Sequence, residues 1–125
     1  MIYQITRAQF LELSGCPASD CAHFLPWTKE ILVAIYKDKP LCFVGLMPDT
    51  LISRRAYVWM TMTDTTHGLV IARASRDALS VILNHYEEIY GHCFNALSGK
   101  WLRYLGAEFT SLTQFRIRRG QWQTQ

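Results

Sequence analysis

Apolar and polar positions in the first quarter of the chain predict a strand, a helix and a loop. Apolar side chains at Ile2, Tyr3 and Ile5 indicate a short strand. Thr6 is a suitable N-cap for a helix over 8–13, in which apolar residues follow a helical spacing. Residues 15–28 contain two prolines, so a loop with room for one helical turn is expected there.

Three apolar runs in the middle of the chain predict strands. Residues 31–36 and 41–47 flank a turn at 37–40 and should form a β-hairpin. Residues 55–63 are rich in β-branched and aromatic side chains and predict a third strand. Because this run is almost continuously apolar, it is interpreted as a central strand covered on both faces.

The long helix of the second half is expected to follow a polar loop. Ser75 is a good N-cap, and an apolar stripe runs through 76–90 at helical spacing, so a helix is predicted there with Gly91 as its stop. The ambiguous apolar residues 69–72 fit either a strand or a helix. Residues 92–95 then indicate a short strand.

A second, shorter helix is predicted between Asn95 and Leu105, where Gly106 can take a left-handed C-cap conformation. The polar-apolar stretch 109–118 should form the last strand. The order is therefore β, α, loop, β, β, β, α, β, α, β. This order predicts one α/β domain over 1–125, with a mixed central sheet and helices on both faces.

Composition and charge narrow the class of protein. The chain has 125 residues, 50% of them hydrophobic and 18% charged, which suits one folded domain. A net charge of +3 is too small to indicate a nucleic-acid partner. We interpret the basic cluster over 116–119 as a solvated strand end rather than a phosphate site. Lacking a long apolar segment or a signal peptide, the chain is expected in the cytoplasm without membrane insertion.

Two clusters invite a chemical interpretation. Cys16, Cys21 and His23 suggest zinc, but no second ligand pair follows at a suitable spacing. Free thiols are therefore expected and no metal is predicted. The loop holding Asp64, His67 and Gly68 is equally compatible with a ligand site and with a simple polar loop. Asp64 or His67 could act as a base there.

The segment from Asn95 to Gly106 gives the first indication of a family. It reads Asn-x-x-Ser-x-x-Trp-Leu-Arg-Tyr-Leu-Gly and resembles the late motif of the GCN5-related N-acetyltransferases. The stretch 33–45, with its glycine, is similar to the central hairpin of that family. Over 58–109 the chain most resembles small acetyltransferase-like proteins of tailed bacteriophages, which include virion-associated proteins.

The resemblance implies a fold and a set of cofactor-binding residues. Acetyl-CoA would lie between splayed central strands and would be held by residues at the strand end, at the helix start and on the next strand: Thr61, Met62, Thr63, Arg73, Ser75 and Asn95. Asp64 or a water molecule would take the proton of the amine. The glycine-rich pyrophosphate loop of active members is reduced here to Gly68.

One further departure concerns the general acid. Many members carry a tyrosine four residues before the glycine that ends the late helix, and that position is Leu102 here. Tyr104 is turned about 200° around the helix. We therefore expect a catalytically degenerate phage protein acting in the host cytoplasm or the virion. It would bind phage or host proteins as a virion, assembly or host-interaction component. The alternative is an active acetyl-CoA-dependent N-acetyltransferase that modifies an amine of a host or phage protein.

Overall fold

The computed structural model describes residues 2–50, 52–62, 68–93 and 96–120. Seven strands form one sheet in the order β1-β2-β3-β4-β5-β7-β6. The strands are β1 Ile2–Ile5, β2 Glu30–Tyr36, β3 Lys39–Pro48, β4 Arg55–Met62, β5 Glu88–His92, β6 Glu108–Phe109 and β7 Gln114–Arg118. The helices are α1 Arg7–Ser14, α2 Ala18–Cys21, α3 Gly68–His85 and α4 Ala96–Tyr104. The predicted α/β fold with a mixed sheet is confirmed.

By its internal contacts the chain divides into two compact units. The first comprises residues 1–47 and 59–78, and the second comprises 48–58 and 79–125. In the first unit, β1, β2 and β3 pair antiparallel in sequence order. In the second unit, the start of β4 pairs parallel with β5, and β5 pairs antiparallel with β7.

The amino-terminal helix follows its sequence signals closely. The Thr6 hydroxyl accepts a hydrogen bond from the Gln9 N–H at 3.1 Å, and the Gln9 side chain accepts one from the Thr6 N–H at 2.8 Å. This reciprocal capping box satisfies two N–H groups that the helix itself leaves unpaired. Gly15 ends the helix with φ of 68°, a left-handed conformation that glycine adopts without steric cost. The predicted helix is thus confirmed, one residue longer at each end.

The β2–β3 hairpin carries core residues on both of its faces. Its turn residues, Lys37 and Asp38, have φ of 51° and 66°, as a two-residue type I′ turn requires. One face packs Val33 and Phe43 against Phe10 of α1. The other face packs Ala34 and Cys42 against Ala74 of α3. Successive residues of a strand point to opposite faces, so in this unit helices cover the sheet on both sides.

The long helix begins earlier than its sequence signals suggest. It starts at Gly68 and ends at His85, so the predicted start at Ser75 and the predicted extension to residue 90 were wrong. Ser75 is buried, and its hydroxyl donates to the Ile71 carbonyl at 2.7 Å, one turn back. Burial of Ile71, Ala78 and Ile82 at helical spacing shows why the helix includes the ambiguous segment before Ser75.

Strand β5 occupies residues that the sequence pattern assigned to the helix and its stop. Glu88, Ile89 and Tyr90 pair in parallel register with 55–57. Gly91 lies within the strand, where an added Cβ would meet the Val58 carbonyl oxygen at 2.9 Å. The glycine is needed for close approach of the strands rather than to end a helix. Of the predicted strand at 92–95, His92 is the last residue of β5 and Cys93 follows it, while residues 94 and 95 lie outside the described residues.

The short helix α4 ends as predicted. Gly106 has φ of 93°, its N–H donates to the Arg103 carbonyl, and the Ala107 N–H donates to the Leu102 carbonyl, each at 3.0 Å. This pair of bonds is a Schellman motif, which requires a left-handed residue at that position. Gly106 is therefore explained by its backbone conformation.

Two other strand predictions require correction. The stretch 109–118 forms two antiparallel strands, β6 and β7, because the Ser111 hydroxyl accepts backbone N–H bonds from Thr113 and Gln114 and closes a turn. Strand β4 is not covered on both faces. Ala56 is its one buried residue, and its last three residues are exposed. Apolar composition therefore overestimated the burial of β4.

Candidate active site

One face of the second unit is lined with polar and aromatic side chains from three strands. The strand registers place Tyr57 beside Tyr90, Tyr90 beside Arg116, and His92 beside Gln114. These residues alternate along their strands with buried ones, which are Ala56, Ile89, Gly91, Phe115 and Ile117. The opposite face is therefore apolar core, and this face, which we call the polar face, is open to ligands.

His92, the last residue of β5, is held through both ring nitrogens. Nδ1 lies 3.1 Å from the Tyr57 hydroxyl, and Nε2 lies 3.2 Å from the side-chain amide nitrogen of Gln114. An amide N–H only donates, so Nε2 is the acceptor in this arrangement and Nδ1–H donates to the Tyr57 oxygen. In this arrangement the imidazole is oriented from both sides, and Nε2 carries the ring lone pair.

The two tyrosines of the polar face are poor acids. Their rings pack edge to face at 5.4 Å. Burial raises the pKa of Tyr57, and burial together with a hydrogen bond to the Asp49 carboxylate raises the pKa of Tyr90 to about 12. Both hydroxyls therefore remain protonated near neutral pH and serve as hydrogen-bonding groups.

This shift predicts an alkaline loss of stability. Because the folded-state pKa of Tyr90 exceeds the unfolded value of about 10, its contribution is fully present below pH 10. It is lost as the pH rises towards about 12. Urea denaturation at a series of pH values should show the free energy of unfolding falling between pH 10 and 12. In Tyr90→Phe this fall should be smaller, and an identical pH dependence of the two proteins would contradict the assignment.

The arginines of the polar face are paired with carboxylates. Arg55 contacts Glu88 and lies 3.5 Å from Asp49, while its guanidinium stacks 3.9 Å from the centre of the Tyr90 ring. Arg116 and Arg118 both reach Glu108, at 3.1 and 3.2 Å. Pairing with Glu108 lowers the net positive charge that the 116–119 cluster presents.

A pocket opens on the polar face. Its cavity volume is about 190 Å³, and its lining includes Arg55, Tyr90, His92, Thr110, Gln114 and Arg116. The pocket thus offers an oriented imidazole at its wall, hydroxyl groups, and cations compensated by carboxylates. Such a set can position a small polar molecule and accept a proton from it.

The cofactor-binding residues predicted from the sequence are placed only in part. Thr61 and Met62 are exposed at the end of β4, and Arg73 is exposed on α3, in the same unit. Ser75 was predicted to bind the cofactor because it was expected at the start of the helix. It is instead buried within α3, so that reason no longer applies. The other predicted positions, Thr63, Asp64 and Asn95, lie outside the described residues, and all these assignments stay predictions.

The position expected for a general acid carries no polar group. Leu102 is 6% exposed and packs in the core, whereas Tyr104 is 56% exposed. The two side chains therefore point in different directions, as the helical spacing predicts. Helix α4 offers no proton donor at residue 102.

The tryptophan of β4, Trp59, is half-buried and packs against the core of the first unit. The Trp59 ring packs against Phe10 and Phe24, and its Nε1–H donates to the Thr28 hydroxyl at 2.9 Å.

Within the described ranges, no group of three or more His, Cys, Asp or Glu side chains is placed to hold a metal ion. In the same part of the chain, no helix is long and apolar enough to cross a membrane.

Sequence reasoning missed the residues that define the polar face. Tyr57, His92 and Gln114 come from three strands, with sequence separations of 35 and 22 residues between the bonded pairs. No local motif joins them. The available signal was period-two alternation of polar residues in 88–92 and 114–118, which was hidden because these segments were assigned to a helix and to one long strand.

Comparison with solved structures identifies the architecture. No family model and no curated protein matches the sequence. Mutant forms of the spermidine/spermine N-acetyltransferase SpeG from Vibrio cholerae match with a TM-score of 0.75 at 10% identity, over 99% of this chain and 97% of that one. The GNAT domain of S. lividans PAT matches with a TM-score of 0.71 at 12% identity, over 94% of this chain and 89% of that one.

A third structure was solved with a bound ligand. The aminoglycoside acetyltransferase AAC(6')-Ib in complex with coenzyme A matches with a TM-score of 0.72 at 10% identity, over 99% of this chain and 97% of that one. Identities this low establish similarity of fold alone. The chain has the fold of the GCN5-related N-acetyltransferases.

Proposed function

We propose that this protein is an acetyl-CoA-dependent N-acetyltransferase in which His92 is the general base. One observation carries the proposal: an imidazole oriented through both ring nitrogens lies at the wall of the pocket on the polar face. His92 is the last residue of β5, which pairs in parallel with β4. In open α/β sheets ligands bind beside the carboxyl ends of parallel strands.

An amine acceptor makes a base necessary. Primary amines have a pKa of about 10 and are mostly protonated at neutral pH, so a proton must be removed before or during attack. His92 Nε2 accepts this proton once the amine has displaced the Gln114 amide. The Nδ1–H bond to Tyr57 holds the ring in place and stabilises the imidazolium that forms.

The residues of the first unit fit the cofactor that the fold implies. When bound, acetyl-CoA would supply an activated acyl group on a thioester. At the start of α3, the N–H groups of the first turn have no helical partner, and the helix dipole favours an anion such as a pyrophosphate. Around Gly68 an added Cβ would meet nothing within 4 Å, so a ligand can approach the backbone, and Arg73 is exposed on the same helix.

The absence of an acid at Leu102 is compatible with activity. An ordinary thiol has a pKa of about 8.5, so it can depart as a thiolate and take a proton from water. General acid catalysis typically contributes 10²–10⁴-fold. The protein is therefore expected to be slower than an enzyme with a tyrosine at that position, but still active.

The alternative is a catalytically degenerate protein that serves in a phage particle or binds a host protein. Leu102 in place of an acid supports it. His92 favours the enzyme instead, because it is exposed and lines the pocket, as a base that must reach its substrate requires. Mass spectrometry of purified phage particles tests the virion role, which requires the chain to be present in them.

A direct assay tests the proposed activity. Acetyl-CoA would be incubated with a panel of amines: a polyamine, an aminoglycoside, phosphinothricin and a lysine-containing peptide. Mass spectrometry should detect an N-acetyl product of at least one, dependent on active protein. If the protein binds acetyl-CoA but forms no product with any amine, the degenerate alternative is supported and the proposal fails.

A further inference from the structure

Two cysteines of the first unit lie unusually close together. The Sγ atoms of Cys16 and Cys21 are 2.9 Å apart. This lies between the length of a disulfide bond, about 2.05 Å, and the usual separation of non-bonded heavy atoms, about 3.5–4.0 Å. Cys21 is 0% exposed and packs in the core with Phe10 and Leu25, whereas Cys16 is half-buried. A small movement would bring the two sulfur atoms to bonding distance.

The same distance argues against a shared metal ion. Two thiolates on a tetrahedral zinc, with Zn–S bonds of about 2.3 Å, stand roughly 3.8 Å apart. His23 does not complete such a site, since its ring packs edge-on against Phe24 at 4.8 Å. Within the described residues no metal-binding group is found. The pair is therefore arranged for a bond between the sulfur atoms.

We propose that Cys16 and Cys21 form a thiol–disulfide site, which reacts with a small-molecule disulfide and closes to an intramolecular disulfide. This site is independent of the acetyltransferase proposal. The structure gives the two thiols different roles, because only Cys16 is partly accessible to a reagent.

The reaction proceeds by two exchanges. The Cys16 thiolate attacks one sulfur of oxidised glutathione, the glutathione S–S bond breaks, and one glutathione thiolate leaves and is protonated. The Cys21 thiolate then attacks the Cys16 sulfur and expels the second glutathione. The protein loses two hydrogens and two electrons, and one oxidised glutathione becomes two reduced molecules.

The second exchange should be slow and strongly dependent on pH. In the reduced pair, burial and the neighbouring Cys16 raise the pKa of Cys21 to about 11, and burial still raises it once Cys16 carries glutathione. Only the thiolate attacks, so the rate of closure should rise about tenfold per pH unit between pH 7 and 9. The intermediate with glutathione on Cys16 should accumulate at the lower pH.

Peptide mapping provides the test. The protein would be incubated with oxidised glutathione at pH 7 and pH 9, quenched with iodoacetamide, and digested with trypsin. Both cysteines fall in the peptide 8–29, which contains no internal Lys or Arg. At pH 9 this peptide should have lost two hydrogens, and at pH 7 it should carry one glutathione. Cys42 and Cys93, both buried and on other peptides, provide the internal control and should remain unmodified by glutathione.

Two variants distinguish the roles of the thiols. Cys21→Ala should retain glutathione on Cys16 at both pH values, and Cys16→Ala should leave Cys21 without glutathione. If either variant fails to fold, the pH dependence of the wild type decides by itself. Glutathione that persists on the wild-type peptide at pH 9, or a peptide that remains unreacted there, would overturn the proposal.

Discussion

Replacing His92 with alanine is expected to lower kcat/KM for acetyl transfer by about 100-fold or more, because the variant has no group to take the amine proton. His92 is exposed at the end of β5, so the free energy of unfolding should change little. The measurement is a steady-state assay with the best acceptor from the amine panel, with thermal unfolding followed in parallel.

A matched variant and a rescue experiment separate catalysis from structure. His85→Ala removes another exposed imidazole in the same unit, at the end of α3, and should retain wild-type activity. Added imidazole should partly restore the activity of His92→Ala, since a small base can enter the space that the side chain leaves. It should not change the activity of His85→Ala. Full activity of His92→Ala would exclude His92 as the base.

The second large effect concerns stability. Gly45→Ala is expected to destabilise the protein by about 2–4 kcal/mol. A Cβ at Gly45 would lie 1.9 Å from the Trp59 ring, so the indole must move. Overpacking typically costs about 1–3 kcal/mol, and displacement of the indole would break its bond to the buried Thr28 hydroxyl, worth about 1 kcal/mol. Urea denaturation measures the change.

Gly99→Ala is the control for this substitution. Gly99 lies within α4, and an added Cβ would meet its nearest neighbour at 3.6 Å, an ordinary contact. Alanine favours a helix interior over glycine by about 0.5–1 kcal/mol, so this variant should be slightly more stable. Equal stability of Gly45→Ala and the wild type would show that Trp59 does not pack as described.

Local signals predicted the parts of the fold that local interactions determine. The N-cap at Thr6, the hairpin turn and the left-handed Gly106 each depend on residues close in sequence. Residues 86–90 fit a helical period, yet 88–90 form a strand because they pair with 55–57, more than thirty positions earlier. Long-range pairing overrides local propensity in such segments.

The candidate site was less predictable than the fold for the same reason. Its imidazole is oriented by Tyr57 on β4 and Gln114 on β7, and only the sheet register brings them together. Ser75 misled the sequence analysis in another way. Its side chain is suited to an N-cap, but inside α3 its hydroxyl donates to the Ile71 carbonyl of the preceding turn. The expected cofactor contacts from Thr63 and Asn95 remain predictions.

Binding of acetyl-CoA tests the central claim most directly, because the proposed chemistry depends on it. Calorimetric titration into the wild-type protein should show saturable binding, and acetyl-CoA at 100 times its dissociation constant should raise the free energy of unfolding by about 2.7 kcal/mol. Coenzyme A without the acetyl group should also bind, because the backbone at Gly68 and the Arg73 side chain would contact the phosphates. No heat and no stabilisation at millimolar acetyl-CoA would contradict the account.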